Sequence, residues 1–430
     1  IRLSNKPLGG GIIVLAAMIM VFVLTLLIGV PVAFCVGVSS LVALVSAPYL
    51  TPDTLAIKLF TGLDSFPLVA GLFFILAGEI MSKGGITNRL MRFAEACVGR
   101  IRGGLAHTNV LASMLFAGLS GSAVADTAAL GPLEIGMMTE AGYDVDFSTA
   151  VTVASSVIGP IIPPSVIGII YATCAGTSVA GLLLAGVIPG ILLGASLMLL
   201  CYYFAVKRDY PRGNPITFKE FWNATVYALP VLVLPVIIIG GVLSGIFTVT
   251  EAASVAAAYA LIVVIVGFRS MSLKEIAESF VDAASAVGSC YLVISTAAAL
   301  SYIFAIEEIP QRVLSVLAPL VTVPWLFLLL LVVLLLVVGT FMDPGAAILI
   351  LVPVLLPTVK SLGMSELHLG MIVVLTLALG VITPPVGVCL YVGCSIAEIS
   401  IERLMKSLWP FLLTEIFVVL LVPYVPSLST

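Results

Sequence analysis

Two long apolar runs of this sequence are interrupted near their middles in the same way. Gly159-Pro160-Ile161-Ile162-Pro163-Pro164-Ser165 breaks the run 146–174, and Gly380-Val381-Ile382-Thr383-Pro384-Pro385 breaks the run 366–396. Neither can be continuous helix, because each proline removes a backbone donor and its ring clashes with the carbonyl one turn back. The freed carbonyls lie in runs long enough to cross a bilayer. In lipid they are tolerable only if they face protein, water or a ligand. One transmembrane proline is explained by a structural kink; a duplicated Gly-x-x-x-Pro-Pro points to a binding role.

Composition places the breaks in a membrane. Of 430 residues, 61% are apolar and only 9% charged, with a mean hydropathy of +1.27, beyond what a soluble fold can bury. The 18 basic and 22 acidic residues leave a net charge of -4 and no basic tract, which excludes nucleic acid as a partner. The seven cysteines include no C-x-x-C pair, and His107 and His368 have no Cys/His cluster around them. The cysteines read as small hydrophobes, with no disulfide framework and no transition-metal centre. The sequence opens on Ile1, as expected of a processed, truncated or fused start.

Apolar length predicts spans near 11–28, 30–47, 66–82, 146–174, 180–206, 226–244, 249–268, 283–306, 366–396 and 408–426. Four shorter runs, 103–118, 124–139, 324–340 and 344–359, pair across small-residue tips and predict two re-entrant hairpins. Residues 86–100 carry Ile86, Leu90, Phe93 and Cys97 at helical spacing, with Arg89, Arg92 and Glu95 facing away, as in an interfacial helix. Residues 274–282 read either so or as a helical loop. Five basic residues in 83–102 and four in 207–219 place those connections in the cytoplasm, whereas Glu307, Glu308 and Arg312 make an acidic, outer connection. Threading the chain through these anchors puts both ends of the first hairpin inside and both ends of the second outside, with the starting terminus outside.

An inverted arrangement implies duplication, and the breaker residues show it. Pro132, Gly142, Gly159, Pro163, Pro164 and Pro189 recur 221 residues later as Pro353, Gly363, Gly380, Pro384, Pro385 and Pro410. Glycine and proline report the chain path because they fix backbone geometry. The fold class is therefore an all-α integral membrane protein of two inverted repeats. The first, 1–210, holds a hairpin at about 103–140 and a broken helix at 146–174; the second, 220–430, holds a hairpin at about 324–360 and a broken helix at 366–396.

The tips are polar. Ser120, Gly121, Ser122 and Asp126 mark the first, and Thr340, Asp343 and Gly345 the second. A hard alkali cation needs oxygen ligands, which such tips supply, and helix N-termini beyond each tip and break suit an anionic solute. The two aspartates either bind ions or cap hairpin helices; their offset is 217, not 221. Glu79, Glu134, Glu251 and Asp282 lie near predicted span ends, where capping or interfacial exposure explains them.

The Ser-Gly-Ser-x-x-Ala-Asp tip, Ala-Gly-Tyr-Asp, Ile-Gly-Pro-Ile-Ile-Pro-Pro-Ser, Ile-Pro-Gly, the segment Gly245 to Ala252 and the second Thr383-Pro384-Pro385 resemble the large membrane subunit of TRAP transporters, the tripartite ATP-independent periplasmic class. Val249 departs from a proline of that pattern. The resemblance covers essentially the whole chain. It implies sodium-coupled uptake of a carboxylate-bearing solute, of four-carbon dicarboxylate or sialic acid type, across the bacterial inner membrane by an elevator-type transport domain moving on a scaffold. It implies a periplasmic substrate-binding protein and a small four-helix membrane subunit, separate or fused upstream, as partners beside membrane lipid, with sodium ions and no organic cofactor. Carried over by position, the solute region is Ser120, Gly121, Ser122, Pro163, Pro164, Ser165, Thr383, Pro384 and Pro385. The sodium region is Ser120, Ser122, Asp126, Gly159, Thr340, Asp343, Gly345, Gly380 and Thr383.

Two other classes compete. A stand-alone sodium/divalent-anion symporter would share the hairpins without the partners. Gly118-Leu119-Ser120-Gly121 also fits the short motif of rhomboid-type intramembrane proteases, which would need a histidine to activate Ser120.

Overall fold

The computed structural model describes residues 10–46, 51–213, 215–309, 311 and 324–429. Ile1 and Arg312 lie outside them. The described residues are helices and turns, with one isolated bridge between Arg102 and Arg212.

α1 (Gly10–Leu27) and α2 (Val32–Ser46) fold back on each other. α3 (Pro52–Thr61), which apolar length did not predict, is a capped turn-and-helix unit: Thr51 Oγ1 accepts from Thr54 N at 3.4 Å and Pro52 takes the first turn. α4 (Phe66–Lys83) bends by 79° through Gly84 and Gly85 into α5 (Ile86–Val98). α5 is amphipathic, but of the predicted stripe only Ile86 and Leu90 are buried, joined by Met91 and Ala94, with Phe93 half-buried and Cys97 exposed, while the Arg89 guanidinium lies 3.9 Å from the Tyr227 ring and 3.5 Å from that of Phe268.

The first hairpin is α6 (Gly104–Ser120) with α7 (Ala123–Glu140), and the first broken helix is α8 (Val145–Ser156) with α9 (Val166–Ala175). The predicted span 180–206 is α10 (Val179–Ala185) and α11 (Val187–Lys207), which meet at Gly186, where any Cβ would fall on the Ile161 carbonyl. α12 (Phe218–Leu243), α13 (Val249–Ile262, extended by a π turn Val263–Phe268) and α14 (Leu273–Ile306) follow. α15 (Pro324–Phe341) and α16 (Pro344–Ser361) make the second hairpin, α17 (Glu366–Gly380) and α18 (Val388–Ala397) the second broken helix, and α19 (Ile401–Tyr424) the last long one.

Three helices start earlier than apolar length predicts. Capping boxes at Thr217/Glu220 and Ser272/Glu275, and the Ser400 cap, set those starts instead. Residues 274–282 are accordingly neither an interfacial helix nor a loop but the first turns of the 34-residue α14, since nothing after Ser272 breaks it. Among the described residues, six helical runs are long and apolar enough to cross a membrane, and the bent α4–α5 pair makes a seventh; α2, α9, α17 and α18 are shorter apolar helices.

The connections sort to two ends. Arg102 pairs with Asp209, and Gly103 N donates to Pro211 O at 3.1 Å, joining the basic segments. Asp144 joins this end through Tyr210 Oη at 2.7 Å and Arg208 at 2.8 Å, contacts that hold its carboxyl below the usual carboxylate range. Lys83, at the end of α4, pairs with Asp282 of α14. At the other end Tyr424 Oη donates to Trp325 O at 3.0 Å and His368 Nδ1 meets Ser429 Oγ at 2.6 Å. The first hairpin starts from one end, the second from the other, and their tips meet between.

Each tip rests on a break, backbone against backbone. Gly121, at φ +63°, has no room for a Cβ beneath the Pro164 carbonyl. A Cβ on Gly380 would stand 2.5 to 2.8 Å from Gly339 backbone atoms. The prolines of both breaks share one form, with Pro163-Pro164 and Pro384-Pro385 both cis. Gly380→Ala is expected to cost about 1–3 kcal/mol by overpacking and to lower the melting temperature of the purified protein. Gly136→Ala, where the added methyl meets nothing within 4 Å, should leave it unchanged or raise it slightly. Equal melting temperatures for the two variants would refute this packing.

Candidate functional site

The two tips open onto one cavity of about 710 Å³. Ser120, Gly121, Ser122, Thr340, Asp343 and Gly345 line it, joined by Pro160, Val166 and Ile170 from the first break, Val386 and Val388 from the second, and α4 and α14 opposite. Asp126, Gly159, Pro163, Pro164, Ser165, Gly380, Thr383, Pro384 and Pro385 are not among the residues that line it. The first break is closed over: Pro163, Pro164 and Ser165 are buried, and Ser165 donates to Pro160 O while accepting from Gly168 N at 3.0 Å to cap α9. The second is more open, with Pro385, Val386 and Val388 exposed.

At the first tip, Ser122 caps α7 by accepting from Ala125 N at 3.4 Å, while Ser120 Oγ donates to Asp126 Oδ1. Asp126 is 1% exposed, and its Oδ2 has no hydrogen-bond partner. That oxygen faces Gly159, where a Cβ would lie 2.5 Å from Oδ2 and 3.1 Å from Ser156 O. Glycine at 159 thus lets the Asp126 carboxylate approach the backbone beside the Ser156 carbonyl, oxygens of the kind a hard cation accepts.

At the second tip, Asp343 accepts from Ala346 N at 3.2 Å and so caps α16. It also faces the cavity. Residues 343 and 346 lie 221 after 122 and 125, so Asp343 is the positional counterpart of Ser122, and Asp126 matches Ala347. The offset of 217 is thereby explained: the two aspartates hold different places in similar tips. The Thr340 and Thr383 hydroxyls donate to Val337 O at 2.7 Å and Leu379 O at 2.9 Å, and Gly387 N reaches Thr340 O at 3.4 Å, tying tip to break.

Length and spacing did not bring out Glu79 and Ser82 of α4 or Cys290 of α14 as lining residues. Glu79 stands four residues before Lys83 and 4.0 Å from it, a spacing that signals only an ion pair. No lysine or arginine lines the cavity among the described residues. Of the other carboxylates assigned to span ends, Glu251 does cap, in a box with Thr248, and Asp282 does pair at the surface. Glu134 does not: it is 0% exposed inside α7, because α8 and α18 cover the face that hydropathy alone left undecided. Ser120 and His107 sit 13 residues apart along α6, a rise of about 20 Å, and Ser120 bonds Asp126 instead. The nucleophile–base contact of a protease is therefore missing.

Hairpins whose tips meet over breaks in two apolar helices, around a polar-floored cavity, define a multi-pass membrane transporter. The family model for the tripartite ATP-independent periplasmic transporter, DctM component, matches residues 19–428, and the chain belongs to that family. The C4-dicarboxylate TRAP transporter large permease protein DctM of Pseudomonas aeruginosa is 39% identical over 88% of this chain and 90% of its own. The sialic acid TRAP transporter permease protein SiaT of Haemophilus influenzae is 35% identical over 100% of this chain and 70% of its own. Among solved structures, the Alcanivorax borkumensis YdaH transporter has the same fold, with a TM-score of 0.65 at 16% identity over 96% of this chain and 98% of that one. The protein is thus a large-permease component of the bacterial inner membrane and not an enzyme.

Cys290 lines the cavity, whereas Cys35, Cys201, Cys389 and Cys394 are buried. A small membrane-permeant maleimide should alkylate Cys290, detected by mass spectrometry, and a solute filling the cavity should slow it. Equal labelling of Cys201 and Cys290 would contradict the cavity.

Proposed function

We propose that this chain moves a carboxylate-bearing organic solute, of four-carbon dicarboxylate or sialic acid type, inward across the bacterial inner membrane together with sodium. The solute arrives from a periplasmic binding protein, and a small four-helix membrane subunit completes the assembly. The observation that carries this reading is the convergence of both tips on one cavity that has acidic side chains and no fixed cation. Sodium would be held at the first tip by Ser120, Ser122, Asp126 and the Gly159 backbone, and at the second by Thr340, Asp343, Gly345, Gly380 and Thr383. The unpartnered Asp126 Oδ2 is the best support for the first. The solute carboxylate would then meet Ser120, Gly121 and Ser122 and the N-terminal ends of α7, α9, α16 and α18. Pro163, Pro164 and Ser165, with Thr383, Pro384 and Pro385, act from behind by shaping those ends.

In this proposal residues 1–210 and 220–430 are inverted repeats, and the hairpins and broken helices slide as one elevator domain on the remaining helices. Packing of each tip on its own break supports a common rigid body. The names of the Pseudomonas and Haemophilus relatives support the solute class, and the tripartite family supports the two partners.

Reconstituted with its partner subunit and binding protein, the transporter should take up solute only under an inward sodium gradient. Asp343→Ala and Asp126→Asn should each weaken apparent sodium affinity at least tenfold, about 1.4 kcal/mol. Uptake that persists without the gradient would end the sodium claim. Normal uptake without any binding protein would move the chain to the stand-alone class.

A further inference from the structure

α7 carries a second interior carboxylate that the proposed transport cycle does not use. Glu134 lies two turns beyond Asp126, is 0% exposed, and neither of its carboxyl oxygens has a hydrogen-bond partner. Its helix packs on α6, α8 and α18, and the seam beside it is polar. Asn109 Nδ2 donates to Thr152 Oγ1 at 2.6 Å, Ser155 Oγ donates to Asn109 Oδ1 at 3.0 Å, and the Ser113 and Ser155 hydroxyls pair at 2.8 Å.

The four helices contain no lysine or arginine. Their titratable groups are His107 on α6, Asp146 on α8, Cys389, Tyr391 and Cys394 on α18, and Asp126 and Glu140 on α7 itself. Of these Asp126 lies two turns before Glu134 on the same helix, and it too is acidic. An ionised carboxylate shut in this seam would have no counter-charge, which an interior without water does not tolerate. A metal ion fits poorly. It asks for about six oxygen ligands, and the side-chain oxygens of Asn109 and Thr152 already accept from their neighbours. A proton needs only one of the two carboxyl oxygens.

We propose that Glu134 is a proton-binding site: its carboxyl is the neutral acid while the α6–α7 hairpin is packed on α8, and it releases the proton when that seam opens to water. The packed form then binds one proton more than the opened form. Lower pH therefore favours the packed seam and higher pH weakens it. A single proton limits the change to about tenfold in the packed-to-open ratio per pH unit, starting from the ordinary glutamate value near 4.3.

The test uses the whole protein in lipid nanodiscs and needs no transport, so it stands apart from the solute and sodium assignments. Infrared spectra at neutral pH should contain a protonated-carboxyl C=O band that Glu134→Gln removes. Across about pH 5 to pH 8 the wild-type melting temperature should fall as pH rises, and in Glu134→Gln that fall should be shallower by one proton's worth. If Glu134→Gln does not fold, Glu134→Met carries both measurements. An unchanged carbonyl band, or parallel pH profiles of wild type and variant, would overturn the proposal.

Discussion

The fold depends on how two sets of backbone groups, freed by proline in the middle of apolar helices, are kept out of lipid. Each is covered by another stretch of backbone. Gly121 sits against the Pro164 carbonyl, and Gly339 against Gly380. Contact this close is possible only because these positions lack a Cβ, so glycine in a tip and proline in a break belong to one joint. A tip cannot lift without exposing the carbonyls it covers. Whatever then occupies the space must satisfy them, which ties tip motion to occupancy of the cavity beside it.

The joints are alike in backbone and unlike in charge. Ser122 and Asp343, 221 residues apart, do the same local work, each accepting from a backbone N–H three residues on. The cap needs only an oxygen, so hydroxyl and carboxylate both serve. The consequence differs, because a carboxylate at that position adds a negative charge at the cavity surface while a hydroxyl adds none. The first joint keeps its carboxylate one turn deeper, at Asp126, against Gly159 and away from the cavity. One cavity therefore has an acid at its wall on one side and an acid beneath its wall on the other.

What the sequence made legible follows from what each residue type encodes. The breaks and tips were readable because Gly and Pro specify backbone geometry directly: four of the six pairs 221 residues apart fall where the chain turns or breaks, Gly142 and Gly363 both having positive φ, whereas Pro132, Pro353, Pro189 and Pro410 lie inside helices. The starts of α12, α14 and α19 were misplaced because a capping Thr or Ser ends one backbone path and begins another without changing hydropathy. α3 was missed because ten residues with Asp53 and Lys58 make no apolar run, although Thr51-Pro52-Asp53 is a legible start signal. Glu134 was misread for a different reason. Burial of a side chain in a hairpin arm depends on which helices cover it, and no spacing within α7 records the arrival of α8 and α18. The class of transporter came from ordered motifs resembling a family, not from composition, and the solute leaves no mark on this chain comparable to its breaks.

The cavity's charge has a consequence for anything anionic that enters it. Glu79 and Asp343 are the charged residues of its lining, and both are acidic. Partial positive charge from helix N-termini is worth about 0.3–1 kcal/mol at each, and it is opposed by the Asp343 carboxylate and by Glu79, whose charge Lys83 at 4.0 Å partly balances. A cation bound at the tips changes that balance, since it neutralises an acid and leaves positive potential where an anion would sit. The anion in turn raises the affinity for the cation by the same factor, because the coupling free energy belongs to the pair. Under the proposed function, each ion would then be held weakly alone and better together. A lysine or arginine in the wall would bind an anion unaided, and among the described residues the lining of this cavity has neither.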